Sequence, residues 1–319
     1  MDVCILLKQY EAGERSFVGV DLRGADLSGA TLVDIDFTGA NLMGVNFSRA
    51  FLTKANLSEA FLNWADLSFA KLSEADLTDA DLTKAKLNGV FMVKAKLAKA
   101  KLSGATLSNA NLRGADLRRS NLCGANLVGV NLRSANLQRA NLNWGNLCRA
   151  RLSGATLTGA FLDGVNLKGA FLNGLDLRGV DLSGINLTGA KLSSANLDGA
   201  NLKAANLAAA YLQNVSLNGA NLAASNLTGA VLHRANLNWS DLTQADLSAA
   251  DLSEANLLGV KIEGAQFADV NLPEQAREYL CLLTSGETLW TQQPTRDTLN
   301  CAIDAEQKAE ETAVYQDSL

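Results

Sequence analysis

From Phe17 to Leu272 every fifth residue is large and apolar, which makes 52 consecutive units without insertion or deletion. Forty-six of these positions are Leu; the others, Phe17, Phe37, Phe47, Met92, Ile262 and Phe267, are apolar too. Two residues before each stands a small or aliphatic residue, which is Ala in 35 units, and only Arg15, in the first unit, is charged. An α-helix advances about 100° per residue, so a five-residue step turns successive Leu by about 140° and smears them around the cylinder. A flat strand alternates with period two, and an odd period throws successive Leu to opposite faces. What survives is a short extended segment, with the small residue and the Leu on one side, followed by a two-residue corner that turns the chain back inward. Every Leu then points at one shared axis.

The punctuation residues agree. Of the 26 glycines, 23 fall two positions after the central Leu, as in Gly24, Gly29, Gly104 and Gly229, the corner position where positive φ is needed. Proline is absent before Pro273, which suits a coil whose backbone N–H groups must bond to the turns above and below. Ala beside the Leu has a steric reason, because inward Leu side chains leave little room in a narrow bore. Leu175 is the largest residue at that inner position, and local bulging is expected there.

Runs such as Ala25-Asp26-Leu27-Ser28-Gly29 and Ala55-Asn56-Leu57-Ser58-Glu59 resemble the A(D/N)LXX consensus of pentapeptide-repeat proteins, over roughly 80% of the chain. The resemblance implies an all-β fold: a right-handed quadrilateral β-helix with four units per coil and hence thirteen coils. At a ladder spacing of about 4.8 Å the rod would be roughly 60 Å long. Such rods expose apolar cross-sections and strand edges at both ends and need caps. The spacing of Ile5, Leu6 and Tyr10 predicts a short helix over Val3 to Glu11, ended by Gly13. Residues 6–17 are similar to the lead-in of cyanobacterial members. At the other end Pro273 is expected at the first position of a helix whose Ala276, Tyr279, Leu280 and Leu283 cover the last coil, with a second helix from about Arg296 to Glu311. The expected division is an N-terminal cap over 1–15, the β-helix over 16–272, and a helical cap with a polar tail over 273–319.

Little in the sequence speaks for catalysis. The one histidine, His233, follows a central Leu and is expected to face solvent. The many Asp that precede central Leu occupy the consensus position, where Asp and Asn suit turn and ladder hydrogen bonds, so they are not paired catalytic carboxylates. The glycines recur as corners rather than as a phosphate-binding loop. Five scattered cysteines without CxxC spacing argue against a zinc site and fit a reducing compartment, and their odd number leaves at least one free thiol. No window approaches eighteen uninterrupted apolar residues, and Met1 to Leu7 is too short and too polar for a secretory signal. The expectation is a soluble, cytoplasmic, non-enzymatic protein without cofactor or metal.

Charge is the informative irregularity. Residues 84–151 hold thirteen Lys plus Arg and one acid, Asp116, for a net of +12, whereas 1–83 carry −7 and 152–319 carry −10. With twenty residues per coil, Lys99, Arg119 and Arg139 stack on one corner beyond Glu59 and Asp79, and Arg113 and Arg133 stack on another wall. Like charges about 5 Å apart repel, so such columns invite an anionic partner; equally, long basic side chains can splay into water. Trp64 and Trp144 share a corner column, and Phe51, Lys71 and Phe91 follow one wall that Phe171, Lys191 and Tyr211 continue. Lys99, Arg119, Arg139, Arg113, Arg133, Trp64 and Trp144 are the candidate partner-binding residues of a rigid protein-interaction scaffold, while the aromatic wall can equally be packing between neighbouring coils. The family resemblance implies an alternative, since some members mimic duplex DNA and bind DNA gyrase, although here the acidic surface is interrupted by the basic belt and the array lacks loop insertions. A third reading is nucleic-acid contact through the belt.

Overall fold

The computed structural model of the chain describes residues 1–301. The residue before each central apolar residue forms a parallel bridge with the residue twenty positions on, from Ser16 with Asp36 to Asp251 with Asn271, at all but two units. Twenty residues are four units, so each coil has four sides and residue n lies directly below residue n+20. The result is a solenoid built from one-residue bridges and two-residue turns.

The five amides of a single unit show what the consensus is for. Leu57 N–H donates to Asp76 O in the next coil (2.7 Å), Glu59 N–H to Thr78 O (2.9 Å), and Phe61 N–H back to Ala40 O in the preceding coil (2.9 Å). Ala60 N–H closes the turn onto Leu57 O (3.2 Å). One amide is left, that of Ser58, and the side chain of Asn56 accepts it at 3.1 Å. Asp or Asn before the Leu therefore supplies the one acceptor that the backbone cannot, and every N–H of the unit is used. Where the residue is Asp, these bonds favour the ionised form. The Ser28 amide holds the Asp26 carboxyl below the usual carboxylate range, and the Ser183 amide does the same for Asp181.

The corner residue is left-handed throughout, glycine or not: φ is 65° at Gly24, 59° at Glu59 and 57° at Trp64. For a non-glycine residue this conformation costs about 1–2 kcal/mol, which the ladder bond at the same amide offsets. Inside, the Leu and Ala positions are buried along nearly the whole array. Arg15, the one charged inner residue, sits at the open end with its guanidinium 4.0 Å from the centre of the Tyr10 ring.

The bulge expected at Leu175 is present and wider than one residue. Leu175, Val180 and Ile185 occupy the inner small position in three consecutive units. Below them the bridges of Thr156 with Asp176 and of Phe161 with Asp181 are the two missing ones. Ala155, Ala160 and Val180 become partly exposed, and a narrow apolar gap opens along the bore between Leu142 and Leu187. Three bulky inner residues in succession need more cross-section than a closed coil offers, and the chain answers by unzipping two of its four sides. The other two sides, Asn146 with Asn166 and Arg151 with Phe171, stay bonded.

Helix α1 (Val3–Glu11) is capped by Asp2, whose carboxylate accepts from the Cys4 and Ile5 amides, and it buries Leu6. Tyr10 donates to Val33 O at 2.9 Å, and Gly13 follows the helix at φ 100°. At the far end, α2 (Glu274–Cys281) starts one residue later than expected: Pro273 is its N-cap, with an extended ψ of 145°. Leu280 is buried, and Ala276 and Tyr279 pack on the core, but Leu283 is exposed rather than covering the coil. Of the second expected helix, the described part is α3 (Thr295–Thr298), which begins at Thr295 and ends well before Glu311; residues 302–319 lie outside the described residues. The cap supplies acceptors to three amides of the last coil, with Gly264 N–H bound to Ser285 O, Phe267 N–H to Thr298 Oγ1 and Gly259 N–H to Tyr279 Oη. Cys281 and Cys301 form a disulfide within this cap, so the reading of all five cysteines as a sign of a reducing compartment is corrected; Cys4, Cys123 and Cys148 are free thiols. The two partners lie on different cap elements, and only the folded cap brings them together.

Two outcomes follow from this packing. Leu117→Ala, in a sealed part of the bore, should cost about 2–5 kcal/mol in chemical denaturation. Leu175→Ala should be neutral or stabilising, with faster hydrogen exchange at Leu157 and Leu162 than at Leu117 in the parent protein. A carboxyl whose folded pKa is depressed adds stability above the usual carboxylate range and loses it as pH falls through the lowered value. The Asp26→Asn, Asp181→Asn double variant should therefore unfold at lower pH than the parent when followed by circular dichroism.

Candidate functional site

The corner column of the basic belt is built by the ladder. Glu59, Asp79, Lys99, Arg119 and Arg139 are spaced by one coil each, have φ of 57–59°, and point outward. Their amides bond in turn to Thr78, Ala98, Arg118, Gln138 and Thr158 at 2.9–3.0 Å, which fixes the stems of the side chains. Ala98, Arg118, Gln138 and Thr158 line a shallow groove beside them. The stacking expected for Lys99, Arg119 and Arg139 is present. So is that of Arg113 and Arg133, whose amides are accepted by Asn111 and Asn131, while Asn131 donates to Asn111 at 3.2 Å.

The belt is not uniformly unpaired. Its leading edge is joined to the acidic coil before it by Lys86–Asp66 (4.0 Å), Lys96–Asp76 (3.2 Å), Lys99–Asp79 (3.5 Å) and Lys101–Asp81 (3.8 Å), each pair twenty residues apart. These cross-coil pairs are absent from the sequence reading, although the signal exists: an Asp followed by a Lys twenty residues on, readable only once the coil length is known. As exposed pairs they add about 0–1 kcal/mol each. Further along, Arg118 holds Asp116 in a two-point clamp, Nε to Oδ1 at 2.8 Å and Nη2 to Oδ2 at 2.6 Å, and these bonds keep the Asp116 carboxyl below its usual range against the opposing effect of burial. Arg113, Arg119, Arg133 and Arg139 have no ion pair among the described residues.

Several exposed aromatic side chains, Trp144 among the candidates, have intramolecular seats. Trp144 is 70% exposed, yet its ring lies on Gly164 one coil on, so closely that a Cβ there would collide with the ring. Trp239 rests on Gly259 and Phe69 on Gly89 in the same manner. Trp64 shares the corner column of Trp144 and is 56% exposed. On the aromatic wall, Lys71 Nζ stands 3.4 Å from the Phe91 ring centre and Lys191 Nζ 3.0 Å from that of Tyr211, so part of that wall is occupied by cation–π contacts within the chain. His233 is partly buried rather than free in solvent, with Nδ1 2.9 Å from Ser253 Oγ. Among the described residues no three His, Cys, Asp or Glu side chains gather as a metal-ligand set, and no helix is long and apolar enough to cross a membrane.

The family model described as pentapeptide repeats matches overlapping stretches from residue 21 to residue 272. HetL, a pentapeptide repeat protein involved in heterocyst differentiation regulation in the cyanobacterium Nostoc, is 32% identical over 83% of this chain and 96% of its own, with a TM-score of 0.37. A pentapeptide repeat protein of the Arabidopsis thaliana thylakoid lumen is 37% identical over 41% of this chain and 92% of its own, with a TM-score of 0.41. QnrB1, a plasmid-mediated fluoroquinolone resistance protein, is 17% identical over 83% of this chain and 94% of its own, with a TM-score of 0.25. No curated protein matches the chain. The repeat match over most of the length, in keeping with the twenty-residue ladder, places this chain in the pentapeptide-repeat family, whose fold is the right-handed quadrilateral β-helix.

Proposed function

We propose that this protein is a non-enzymatic interaction scaffold that presents a rigid, charge-patterned surface to an acidic protein partner. In this reading the rod comprises about thirteen coils over 16–272, closed by caps over 1–15 and 273–319. The observation that carries the proposal is the set of four exposed arginines, Arg113, Arg119, Arg133 and Arg139, without ion pairs and fixed one coil apart on two faces. Their backbone stems are held by the ladder, so little order has to be gained on binding. Guanidinium groups suit carboxylates, which they meet with two parallel bonds.

A gyrase-binding duplex mimic would need a continuous acidic surface, and the +12 belt interrupts it between the −7 and −10 flanks. The same flanks oppose a long nucleic acid lying along the rod. Trp64 and Trp144 add apolar area at a second corner, where they would serve the same partner.

The test is capture from native lysate with the wild-type protein and with the Lys99→Glu, Arg119→Glu, Arg139→Glu triple variant as baits. A partner held by the first and lost by the second supports the reading. Identical captures on both baits would overturn it.

A further inference from the structure

The column that carries Lys99, Arg119 and Arg139 has an order that matters. Read along the rod, this one corner runs Gly19, Gly39, Glu59, Asp79, Lys99, Arg119, Arg139, Gly159, Gly179. All nine residues have φ between 57° and 68°, so each side chain leaves the wall in the same way. Two acids are followed by three bases, and both ends are glycine, where another backbone can approach closely. Asp79 and Lys99 pair with each other at 3.5 Å, whereas Glu59, Arg119 and Arg139 have no side-chain partner among the described residues. Next to the column stand Ser58, Thr78, Ala98, Gln138 and Thr158, all uncharged, and Arg118, whose charge is taken up by Asp116.

Such an order is self-complementary when reversed. A two-fold axis perpendicular to the rod at the level of Lys99 places Asp79 opposite Arg119 of a second copy and Glu59 opposite its Arg139. Symmetry repeats both pairings, which gives four. Gly39 and Gly19 then face Gly159 and Gly179, so nothing bulky holds the walls apart. Both rods repeat at about 4.8 Å per coil, so the pairs stay in step along the column. On the axis Lys99 meets Lys99 of the second copy. A shift of one coil in one direction leaves Arg139 facing Gly39 but again makes four pairs, Asp79 with Lys99 and Glu59 with Arg119, whereas in the other direction it sets Lys99 against Arg119; the two four-pair registers share Glu59, Asp79 and Arg119. An interface of this kind is isologous, as in most homodimers.

Resting on the reading of the belt as a protein-docking surface, we infer that the acidic partner of this column is a second copy of the chain, docked antiparallel through Glu59, Asp79, Arg119 and Arg139. The dimer is held by exposed ion pairs and is therefore weak and sensitive to salt.

The test uses the full chain in sedimentation equilibrium. The wild type should form a dimer at 50 mM NaCl whose Kd rises about tenfold or more by 500 mM. Glu59→Arg with Asp79→Arg makes the column entirely basic, and Arg119→Glu with Arg139→Glu makes it predominantly acidic. Each double variant alone should be monomeric, while their equimolar mixture should form a heterodimer, because four opposite-charge pairings form again, two of them with reversed sign. Recovery on mixing also shows that neither variant has lost its fold. A wild type that is monomeric at low salt, or a dimer that persists in either double variant, overturns the inference. If the wild type is monomeric and the lysate capture still depends on Lys99, Arg119 and Arg139, the scaffold reading stands and only the identity of the partner fails.

Discussion

The parallel ladder between residue n and residue n+20 is the constraint on which the rest of this protein depends. Four of the five amides in a unit find backbone carbonyls, two of them in the coil ahead and one in the coil behind, and the fifth finds the side chain of Asp or Asn. Such complete use of the backbone leaves little slack for an inserted residue, because a single insertion shifts the bridges that span it, one coil's worth, off their partners unless the extra residue loops out. The 52 uninterrupted units are the sequence expression of that rule. Because the backbone alone makes most of the ladder, outward side chains that cap no turn amide are released from structural duty, and there charge and aromatic residues accumulate.

A closed ladder also fixes the cross-section of the bore. Leu with Ala fills it, and a Val or Ile in an isolated unit is tolerated, as Ile35 and Val90 show by their full burial. Leu175, Val180 and Ile185 in succession exceed it, and two bridges are lost, on the sides of Leu175 and Val180. The ends present the opposite problem, edges with no next coil. At the C-terminal end the cap meets it with ordinary loop and side-chain groups, the Ser285 carbonyl and the Thr298 and Tyr279 hydroxyls, arranged to receive amides from the last coil.

On the outside, the same geometry converts sequence spacing into surface pattern. A corner residue at positive φ projects from the wall and leans over the corner one coil on. This explains why Trp144, Trp239 and Phe69 each rest on a glycine, and why large exposed rings are compatible with a stable rod. It also explains the junction between the acidic segment and the basic belt, where Asp66, Asp76, Asp79 and Asp81 meet lysines one coil later. Local neutralisation at this junction takes up four of the belt's lysines and none of Arg113, Arg119, Arg133 and Arg139.

The sequence by itself determined the repeat, the inward and outward positions, the corner glycines, the role of Asp and Asn, the strain at Leu175 and the helix before Gly13. All of these are consequences of a five-residue period acting on near neighbours, and a period is visible in one dimension. Only the tertiary structure decided which stacked side chains bond or rest on one another across coils, and which residues meet within the cap. The lysine–aspartate pairs and the glycine seats of the tryptophans depend on how many units close one coil, a property of the whole ladder that no single unit contains. The pairing of Cys281 with Cys301 and the place of Pro273 outside its helix depend on how the cap folds onto the last coil, where the periodic signal has already ended.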